Sequence, residues 1–359
     1  MRTTAYDMAL PMLAIAAALA VFGALVSLAG VNPLQLWVLL FKGAFGDAFS
    51  WQNTLQRAAP LMLTALCVAL PARAGLVIIG AEGALVLGGL ACAAAACYLP
   101  LPGNAVGTAA ACAAGALAGG LWLALAGWLR QYRGINETIS SLLLAYIAIG
   151  LFKHLVEGPL RDPASLNKPS TRTLPAALQM GGIAGTDLHW GLVLGVLACL
   201  GLALWLHATA SGFALRVVGG NPRTARLMGL PASRLIIVAC ALGGAAAGLA
   251  GAVEVAAVHT NANAALIAFY GYTGILVSFI ARHHPLAIIA VAIVFGGFGA
   301  AGSLLQRRLG LPDASVLVLQ GLAFVFILAS QALRDLRCTG LLAKLVRIGP
   351  LRAAQGDAR

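Results

Sequence analysis

The sequence predicts an all-α, polytopic membrane protein of about ten transmembrane helices, with broken or re-entrant segments and one short cytoplasmic helix. Of the 359 residues, 61% are hydrophobic and only 9% are charged, whereas soluble domains carry roughly 25% charged residues. The hydrophobic residues fall into long runs, and short basic stretches separate these runs. A water-soluble fold is therefore excluded, and the lipid bilayer is the expected surroundings of most of the chain.

Ten apolar runs are interpreted as spans, because a helix needs about 20 apolar residues to cross a bilayer. The first run is longer than the hydrophobic region of a secretory signal, so we interpret it as an uncleaved span. The eighth run is short for a span. The predicted spans are residues 8–30, 55–72, 75–99, 105–129, 138–156, 190–207, 235–258, 269–281, 286–303 and 314–331.

The stretch between the first two spans, residues 31–53, mixes apolar and polar side chains. Trp37 and Trp51 lie in it, and Lys42 and Asp47 interrupt it. Aromatic side chains of this kind anchor helices at the membrane surface. We therefore expect an interfacial helix here.

An even number of spans places both termini on one side of the membrane. If both termini lie in the cytoplasm, eight of the 23 lysines and arginines lie outside and the rest lie inside, which is the distribution that the positive-inside rule predicts. Both termini, the stretch 209–234 and the basic tail 334–359 are therefore expected in the cytoplasm, and the long loop 157–188 is expected outside. The eight outside residues are Lys42, Arg57, Lys153, Arg161, Lys168, Arg172, Arg307 and Arg308.

The stretch 209–234 is the longest polar run between two apolar segments in the second half of the chain. It carries four arginines and no acid. Asn221 is a good N-cap, Pro222 suits the first helical position, and Gly229 suits a left-handed C-terminus. These signals predict a helix of about two turns over residues 222–228. The four arginines are Arg216, Arg223, Arg226 and Arg234.

Two faces of this short helix differ. Arg223 and Arg226 are three residues apart and share one face, while Ala225 and Met228 share another. A helix of two turns is unstable alone in water, so either the membrane domain or a docked partner has to hold it. The residues alone leave this open, because cytoplasmic loops are commonly basic.

Two acids lie inside predicted spans. A carboxylate in the hydrocarbon is costly unless it faces a wet cavity or a donor. Glu82 has glycines on both sides, at positions 80 and 83, so it either caps a broken helix or lines a solute pathway. Glu254 lies near the outer end of its span, where it either reaches the outer surface or lines the mouth of a pathway.

Further polar side chains near these acids are candidates for contact with a polar, planar solute, although aromatic residues are common in any membrane protein. The glycine-rich seventh span is instead expected to serve close helix packing, as is the Gly115 and Gly119 pair of the fourth. The candidates are Ser140, Ser141, Tyr146, Asn261, Tyr270 and Tyr272.

Several classes of function are excluded by missing motifs. No lysine follows a glycine, so the chain carries no P-loop for ATP. The seven cysteines contain no C-x-x-C pair, and the histidines show no metal spacing, so neither a metal, a cofactor nor a disulfide framework is expected. The basic residues have no aromatic residues interspersed among them, so they indicate the orientation of the chain in the membrane rather than nucleic-acid binding. No catalytic constellation is evident, and the chain is not expected to be an enzyme.

Six segments together resemble a known family, the permease subunits of bacterial ABC importers in the branched-chain amino acid, ribose and nucleoside group. They follow the family's order and are most similar to its nucleoside branch, which is linked to basic membrane proteins. The segments are GLVIIGAEGALVLGG (75–89), GINETISSLLLAYIA (134–148), GPLRDP (158–163), TASGFALRVVGGNPRTARLMGL (209–230), AAAGLAGAVEV (245–255) and GYTGILVSFIARHHPLA (271–287).

The resemblance implies a single permease domain over residues 1–333 in a bacterial inner membrane, importing a small polar solute, most plausibly a nucleoside. It implies three partners: a separate ATPase subunit, a second related permease or another copy of this chain, and a periplasmic binding protein. It also implies that the short helix is a coupling helix on the ATPase. The implied coupling residues are Arg216, Asn221, Pro222, Arg223, Thr224, Ala225, Arg226 and Gly229.

Two positions depart from the family pattern. Ala145 stands where the family usually has asparagine, and Ala84 stands where it has a polar residue, often glutamine. Both departures remove hydrogen-bonding groups and leave the solute open, so a simple sugar or a branched-chain amino acid remains an alternative to a nucleoside. An ion-coupled secondary transporter is the alternative in mechanism, although such proteins carry matched broken helices in two halves.

Overall fold

The computed structural model describes residues 4–312 and 314–338, and its regular structure in these ranges is helical. Thirteen α-helices follow one another along the described chain. They are α1 (Thr4–Leu28), α2 (Pro33–Phe45), α3 (Ala48–Ala72), α4 (Ala81–Tyr98), α5 (Ala105–Arg133), α6 (Glu137–Glu157), α7 (Gly191–Ala208), α8 (Ala210–Gly220), α9 (Pro222–Leu227), α10 (Ala232–Val253), α11 (Tyr270–Ile280), α12 (Pro285–Leu309) and α13 (Ala314–Cys338).

Seven helices of the described chain are long and apolar enough to cross a membrane. They are α3, α4, α5, α6, α7, α10 with its continuation to His259, and α12. Shorter apolar helices lie at Leu13–Leu28, Pro33–Phe45, Ala264–Ile280 and Ala314–Ser330. The all-α, polytopic membrane fold is therefore confirmed, with the first, eighth and tenth expected spans at shorter apolar helices.

The chain divides into two compact units. One comprises residues 1–39 and 305–359, and the other comprises Leu40–Leu304. In the first, α1 packs against α13, and the rings of Phe22 and Trp37 lie 6.2 Å apart. The second contains every candidate site residue. That residues 1–333 act as one domain stays a prediction, and most of the basic tail, residues 339–359, lies outside the described residues.

The interfacial helix expected over residues 31–53 is wrong in its extent. Asp47 caps α3 by accepting a hydrogen bond from Ser50 N at 2.8 Å, and this bond lowers the pKa of Asp47. The long helix therefore begins at Ala48, because a capped N-terminus is a favourable start for a helix. As a result Arg57, counted on the outer side near the start of the expected span 55–72, lies nine residues into the helix.

The third expected span is not helical at its start. Residues 76–80 are irregular and α4 begins only at Ala81. Two hydroxyl groups of α6 bond this irregular backbone: Thr138 Oγ1 donates to Val77 O at 2.9 Å, and Ile79 N donates to Ser141 Oγ at 3.0 Å. Irregular backbone at membrane depth is tolerated only where protein satisfies it. The broken segment expected near Glu82 is therefore present, just before that residue.

Glycines bring α10 against α5 at backbone distance, as the sequence predicts. A Cβ on Gly248 would lie 2.3 Å from Gly115 O, and one on Gly244 would lie 2.3 Å from Gly119 O. Real Cβ atoms do not approach oxygen so closely, so only glycine permits this contact. The two helices therefore form a rigid centre of the larger unit.

Replacing Gly248 with alanine is expected to destabilise the protein by about 1–3 kcal/mol, because the added methyl group forces α5 and α10 apart. The control is Gly201→Ala in α7, where an added Cβ meets nothing within 4 Å. Thermal unfolding of the purified protein in detergent measures both. Equal midpoints for the two variants would contradict the close packing.

The long loop after α6 pairs with the segment that follows α10. Thr171 N donates to Ala262 O at 2.9 Å, Leu174 N donates to Thr260 O at 2.7 Å, and Met180 N donates to Ala256 O at 2.8 Å. Leu174 and Leu178 are buried against this segment's side of the core. The loop is therefore an ordered cover over one end of α10 rather than a free connection.

Candidate functional site

The short helix α9 has the caps that the sequence predicts. Asn221 Oδ1 accepts hydrogen bonds from Arg223 N at 2.9 Å and from Thr224 N at 3.3 Å. Pro222 occupies the first turn, and Gly229 adopts a φ of 76°. The prediction of a short helix with these ends is confirmed, because every signal for it is local in the chain.

One face of α9 is anchored and the rest is exposed. Ala225 is fully buried in a cluster with Leu215 and Val218 of α8 and Ile236 of α10. Arg223, Thr224 and Arg226 are exposed. Leu227 and Met228 are exposed as well, at 89% and 64%. Met228 therefore does not share the buried face of Ala225, since it lies at the C-cap, where the helix has ended.

The segment before α9 is helical, which the sequence analysis missed. Helix α8 is capped by Thr209, whose Oγ1 accepts from Gly212 N at 3.1 Å. Arg216 lies exposed on α8 with its guanidinium 5.9 Å from the ring of Phe213. Two consecutive helices thus present Arg216, Arg223 and Arg226 to the surroundings. The Thr209 cap was the available signal for α8.

Glu82 caps another helix from a distance. Its carboxylate accepts hydrogen bonds from Phe269 N at 2.9 Å and from Gly271 N at 2.6 Å. These are N–H groups at the start of α11, which no intrahelical carbonyl accepts. Phe269 has a left-handed φ of 59° and offers no side-chain cap of its own. The buried carboxylate therefore takes the place of the missing cap.

Two helix N-termini meet at this carboxylate. Glu82 stands in the first turn of α4, and a Cβ on Gly271 would lie 2.2 Å from Glu82 N. The positive ends of the α4 and α11 dipoles therefore both face one negative charge, which is the stabilising arrangement. This geometry fits the expectation of a carboxylate that caps a broken helix, and leaves both oxygens engaged.

The serines of α6 make local contacts. Ser141 is buried and bonds Ile79 N, as described above, while Ser140 Oγ donates to Glu137 O at 3.2 Å. Ala84 and Ala145 are fully buried, and a Cβ on Gly83 would lie 2.6 Å from Ala145 Cα. Of the two departures from the family pattern, Ala145 thus lies at the tight contact between α4 and α6, and Ala84 is buried next to Gly83 in α4.

Aromatic residues group around the start of α11. The rings of Phe269 and Tyr272 lie 6.0 Å apart, and Tyr272 lies close to Tyr146 of α6. Tyr146 and Phe269 are 60% and 47% exposed. The structure therefore brings Tyr146 and Tyr272, which are far apart in the sequence, to one partly exposed aromatic surface.

Glu254 is buried rather than extended to the outer surface, with 4% of its area exposed. It begins a π-helical turn, Glu254–His259, that continues α10, and such turns are frequent at functional sites. His259 Nε2 lies 3.6 Å from Glu254 Oε2. Asn261 follows in the segment that the long loop covers, where Asn263 Nδ2 donates to Asn261 Oδ1 at 2.6 Å.

Arg57 is the residue that the sequence analysis missed. It lies close enough to Glu254 and Tyr270 to interact with both, yet its side chain is exposed. It lies nine residues into α3, about 14 Å along the helix axis from Ala48. A charged side chain in a span is a functional candidate. Its position beyond the Asp47 cap was the signal for it.

The candidate site thus has two parts. The first, here called the coupling segment, is α8 and α9 with their exposed arginines. The second, here called the polar cluster, is formed by Arg57, Glu254, Tyr270, Tyr272 and Tyr146. Among residues 4–312 and 314–338, no group of three or more histidines, cysteines or acids is arranged to hold a metal ion.

A comparison with known protein families matches a stretch of the chain that contains both parts of the site. The profile of the family described as "Branched-chain amino acid transport system / permease component" matches residues 50–328. The chain is 33% identical to the glucose ABC transporter permease protein TsgB13 of Haloferax volcanii, over 97% of this chain and 94% of the relative. It is 27% identical to the guanosine ABC transporter permease protein NupP of Bacillus subtilis, over 90% and 94%. It is also 27% identical to the nucleoside ABC transporter permease protein NupB of Lactococcus lactis, over 85% and 86%.

Proposed function

The chain belongs to the family of branched-chain amino acid transport system permease components, the non-catalytic membrane subunits of ABC importers, and from this premise we propose how it works. In our proposal the polar cluster lies on the path of a small solute. The coupling segment docks on a separate ATPase subunit. ATP-driven movement of that subunit then changes access to the path from one side of the membrane to the other.

Helix α9 is the observation that carries this proposal. It has six residues, too few to be stable alone, and its one buried residue, Ala225, anchors it in the membrane unit. Its outward side combines two arginines with two exposed apolar side chains, Leu227 and Met228. Apolar anchors together with arginine are typical of protein interfaces. The sequence contains no P-loop, so in this proposal a partner binds and hydrolyses the ATP.

Partners and orientation follow from the same proposal. Importers of this family work with an ATPase and a solute-binding protein. We propose that a second related permease, or a second copy of this chain, completes the membrane part. The ATPase side is the cytoplasmic side, so both termini are placed there and the loop over residues 157–188 faces the binding protein outside. The relatives in both Haloferax and Bacillus support a cell membrane as the location.

The proposed solute carries a sugar ring. The relatives are named for glucose, guanosine and nucleosides, and all of these solutes contain a polyhydroxylated ring. A guanidinium and a carboxylate together match hydroxyl groups that both donate and accept, and tyrosine rings offer a flat surface for a sugar or base. A nucleoside remains the first candidate, with a simple sugar next. A branched-chain amino acid has no such ring.

Replacing Arg57 with glutamine is expected to reduce uptake of the solute about tenfold or more. Loss of a group that hydrogen-bonds a substrate hydroxyl leaves that hydroxyl without its partner, and such losses are costly. The measurement is initial uptake of radiolabelled guanosine and glucose by cells that carry the complete importer. The matched control is Lys153→Gln, since Lys153 is also an exposed cation within a candidate span, on α6. Equal uptake by both variants would contradict a role for Arg57 in the path.

The mechanism is tested by the source of energy. The importer, reconstituted with its ATPase and binding protein in vesicles, is expected to transport when ATP is present and the proton gradient is collapsed. Transport that needs the gradient and ignores ATP would instead support an ion-coupled secondary transporter.

The solute is identified by thermal shift of the binding protein against nucleosides, simple sugars and branched-chain amino acids. A shift with amino acids alone would overturn the sugar-ring proposal.

A further inference from the structure

We propose that Arg73 is a positioning residue that transmits movement of the coupling segment to α11. This inference rests on the proposed function, and it assigns the connection between α3 and α4 a task beyond linking two helices. The connection, residues 73–80, contacts the end of α8 on one side and the turn after α11 on the other, and Glu82 just beyond it holds the start of α11. It therefore links the end of α8, next to α9, to the helix that carries Tyr270 and Tyr272.

The coupling segment contacts this connection backbone to backbone. A Cβ on Gly219, the penultimate residue of α8, would lie 2.0 Å from Arg73 O and 2.9 Å from Arg73 C. In return, a Cβ on Gly75 would lie 3.3 Å from Gly219 O. No side chain separates the two segments at this point. Packed contacts of this density transmit displacement rather than absorb it.

Arg73 then holds the end of α11. Its Nε and Nη2 donate to the carbonyl oxygen of His283 at 3.2 and 2.8 Å. Arg282 and His283 have φ angles of 51° and 57°, a left-handed conformation that non-glycine residues adopt at a cost and only where surroundings fix it. The fork of Arg73 is therefore one of the interactions that keep this turn in place.

His283 fixes the same turn to α11 itself. Its Nδ1 lies 2.8 Å from Ser278 Oγ, and its N–H donates to Ser278 O at 2.8 Å. Burial, and next the charge of Arg73, lower the pKa of His283 to about 4. The imidazole is therefore neutral near pH 7, so its bond to Ser278 does not change across the physiological range. Arg73 thus contacts a rigid end of α11.

The other end of α11 is held by the same stretch of chain. Glu82, a few residues beyond the connection, accepts the N–H groups of Phe269 and Gly271. The stretch from Arg73 to Glu82 is therefore hydrogen-bonded to the chain at both ends of α11. Helix α11 carries Tyr270 and Tyr272 of the polar cluster. When the end of α8 moves against this stretch, α11 has to move with it.

The test separates coupling from assembly. In the purified importer with its ATPase and binding protein, Arg73→Ala is expected to keep ATP hydrolysis within about twofold of wild type while solute transport falls about tenfold or more, the size of effect that mutations along such contacts produce. Arg73→Lys keeps one donor and is expected to recover part of the transport. ATP consumed per solute transported is therefore the quantity that changes.

Gly219→Ala and Gly201→Ala form a second pair, the latter a control in α7, outside both parts of the site. An added Cβ at Gly219 collides with the backbone of Arg73, whereas at Gly201 it meets nothing within 4 Å. Only Gly219→Ala is expected to raise the amount of ATP hydrolysed per solute transported. A parallel fall of hydrolysis and transport, or unchanged transport in both Arg73→Ala and Gly219→Ala, would overturn the inference. Absence of any bound ATPase in the wild-type complex would refute the proposed function, and this inference with it.

Discussion

Glu82→Gln is expected to lower solute uptake at least about tenfold and to destabilise the membrane unit by about 2–4 kcal/mol, since hydrogen bonds to a charged group contribute about 1.5–3 kcal/mol each. The wild-type carboxylate accepts from Phe269 N and Gly271 N at once. A glutamine amide offers one oxygen, so its NH₂ group has to face one of the two backbone donors. It also removes the negative charge from two helix N-termini.

Uptake by cells and thermal unfolding of the purified protein both measure this effect. Glu157→Gln is the matched control, because Glu157 is an exposed glutamate at the end of α6. Glu82→Gln is expected to change both quantities, and Glu157→Gln neither. Wild-type uptake and stability in the Glu82 variant would show that α11 does not depend on this carboxylate.

Reversing the charge of both arginines on α9, with Arg223→Glu and Arg226→Glu together, is expected to lower ATP-driven uptake about a hundredfold. Removing charge complementarity from a docking surface costs several kcal/mol. Insertion and stability are expected to stay at wild type, since both side chains are exposed and the anchor of α9, Ala225, is untouched.

Co-purification of the ATPase, together with uptake, measures the effect of the double variant. Arg133→Glu is the control, because Arg133 is an exposed arginine in the last turn of α5 on the same proposed side of the membrane. The double variant is expected to lose the ATPase, and the control to retain it. Retention of the ATPase with full uptake by the double variant would remove α9 from the docking surface.

The short helix is the part of the site that the sequence predicts best. Its start, its first turn and its end depend on Asn221, Pro222 and Gly229, and each acts within a few residues of itself. The packing of α5 on α10 was predictable for a similar reason, since glycines spaced by four residues mark a close helix contact. Local signals of these two kinds do not depend on the rest of the fold.

Glu82 shows where sequence reasoning stops. Its glycine neighbours predict a broken helix, but its partners Phe269 and Gly271 lie 187 and 189 residues further along the chain. Arg57 shows a different limit. A single aspartate, Asp47, begins α3 at Ala48 rather than at the expected position 55, so Arg57 lies nine residues into the helix rather than near its start. Hydropathy alone does not register such a cap, because one capping residue barely changes the average.

Light-activated cross-linking from position 227 tests the central claim most directly. Leu227 is 89% exposed at the end of α9, and Leu166, at 81% exposed in the long loop, is the matched control. With a photoreactive residue at either position of the active importer, we expect position 227 to capture the ATPase subunit and position 166 not to capture it. An importer that hydrolyses ATP in response to solute, and whose position 227 captures no ATPase, would contradict it.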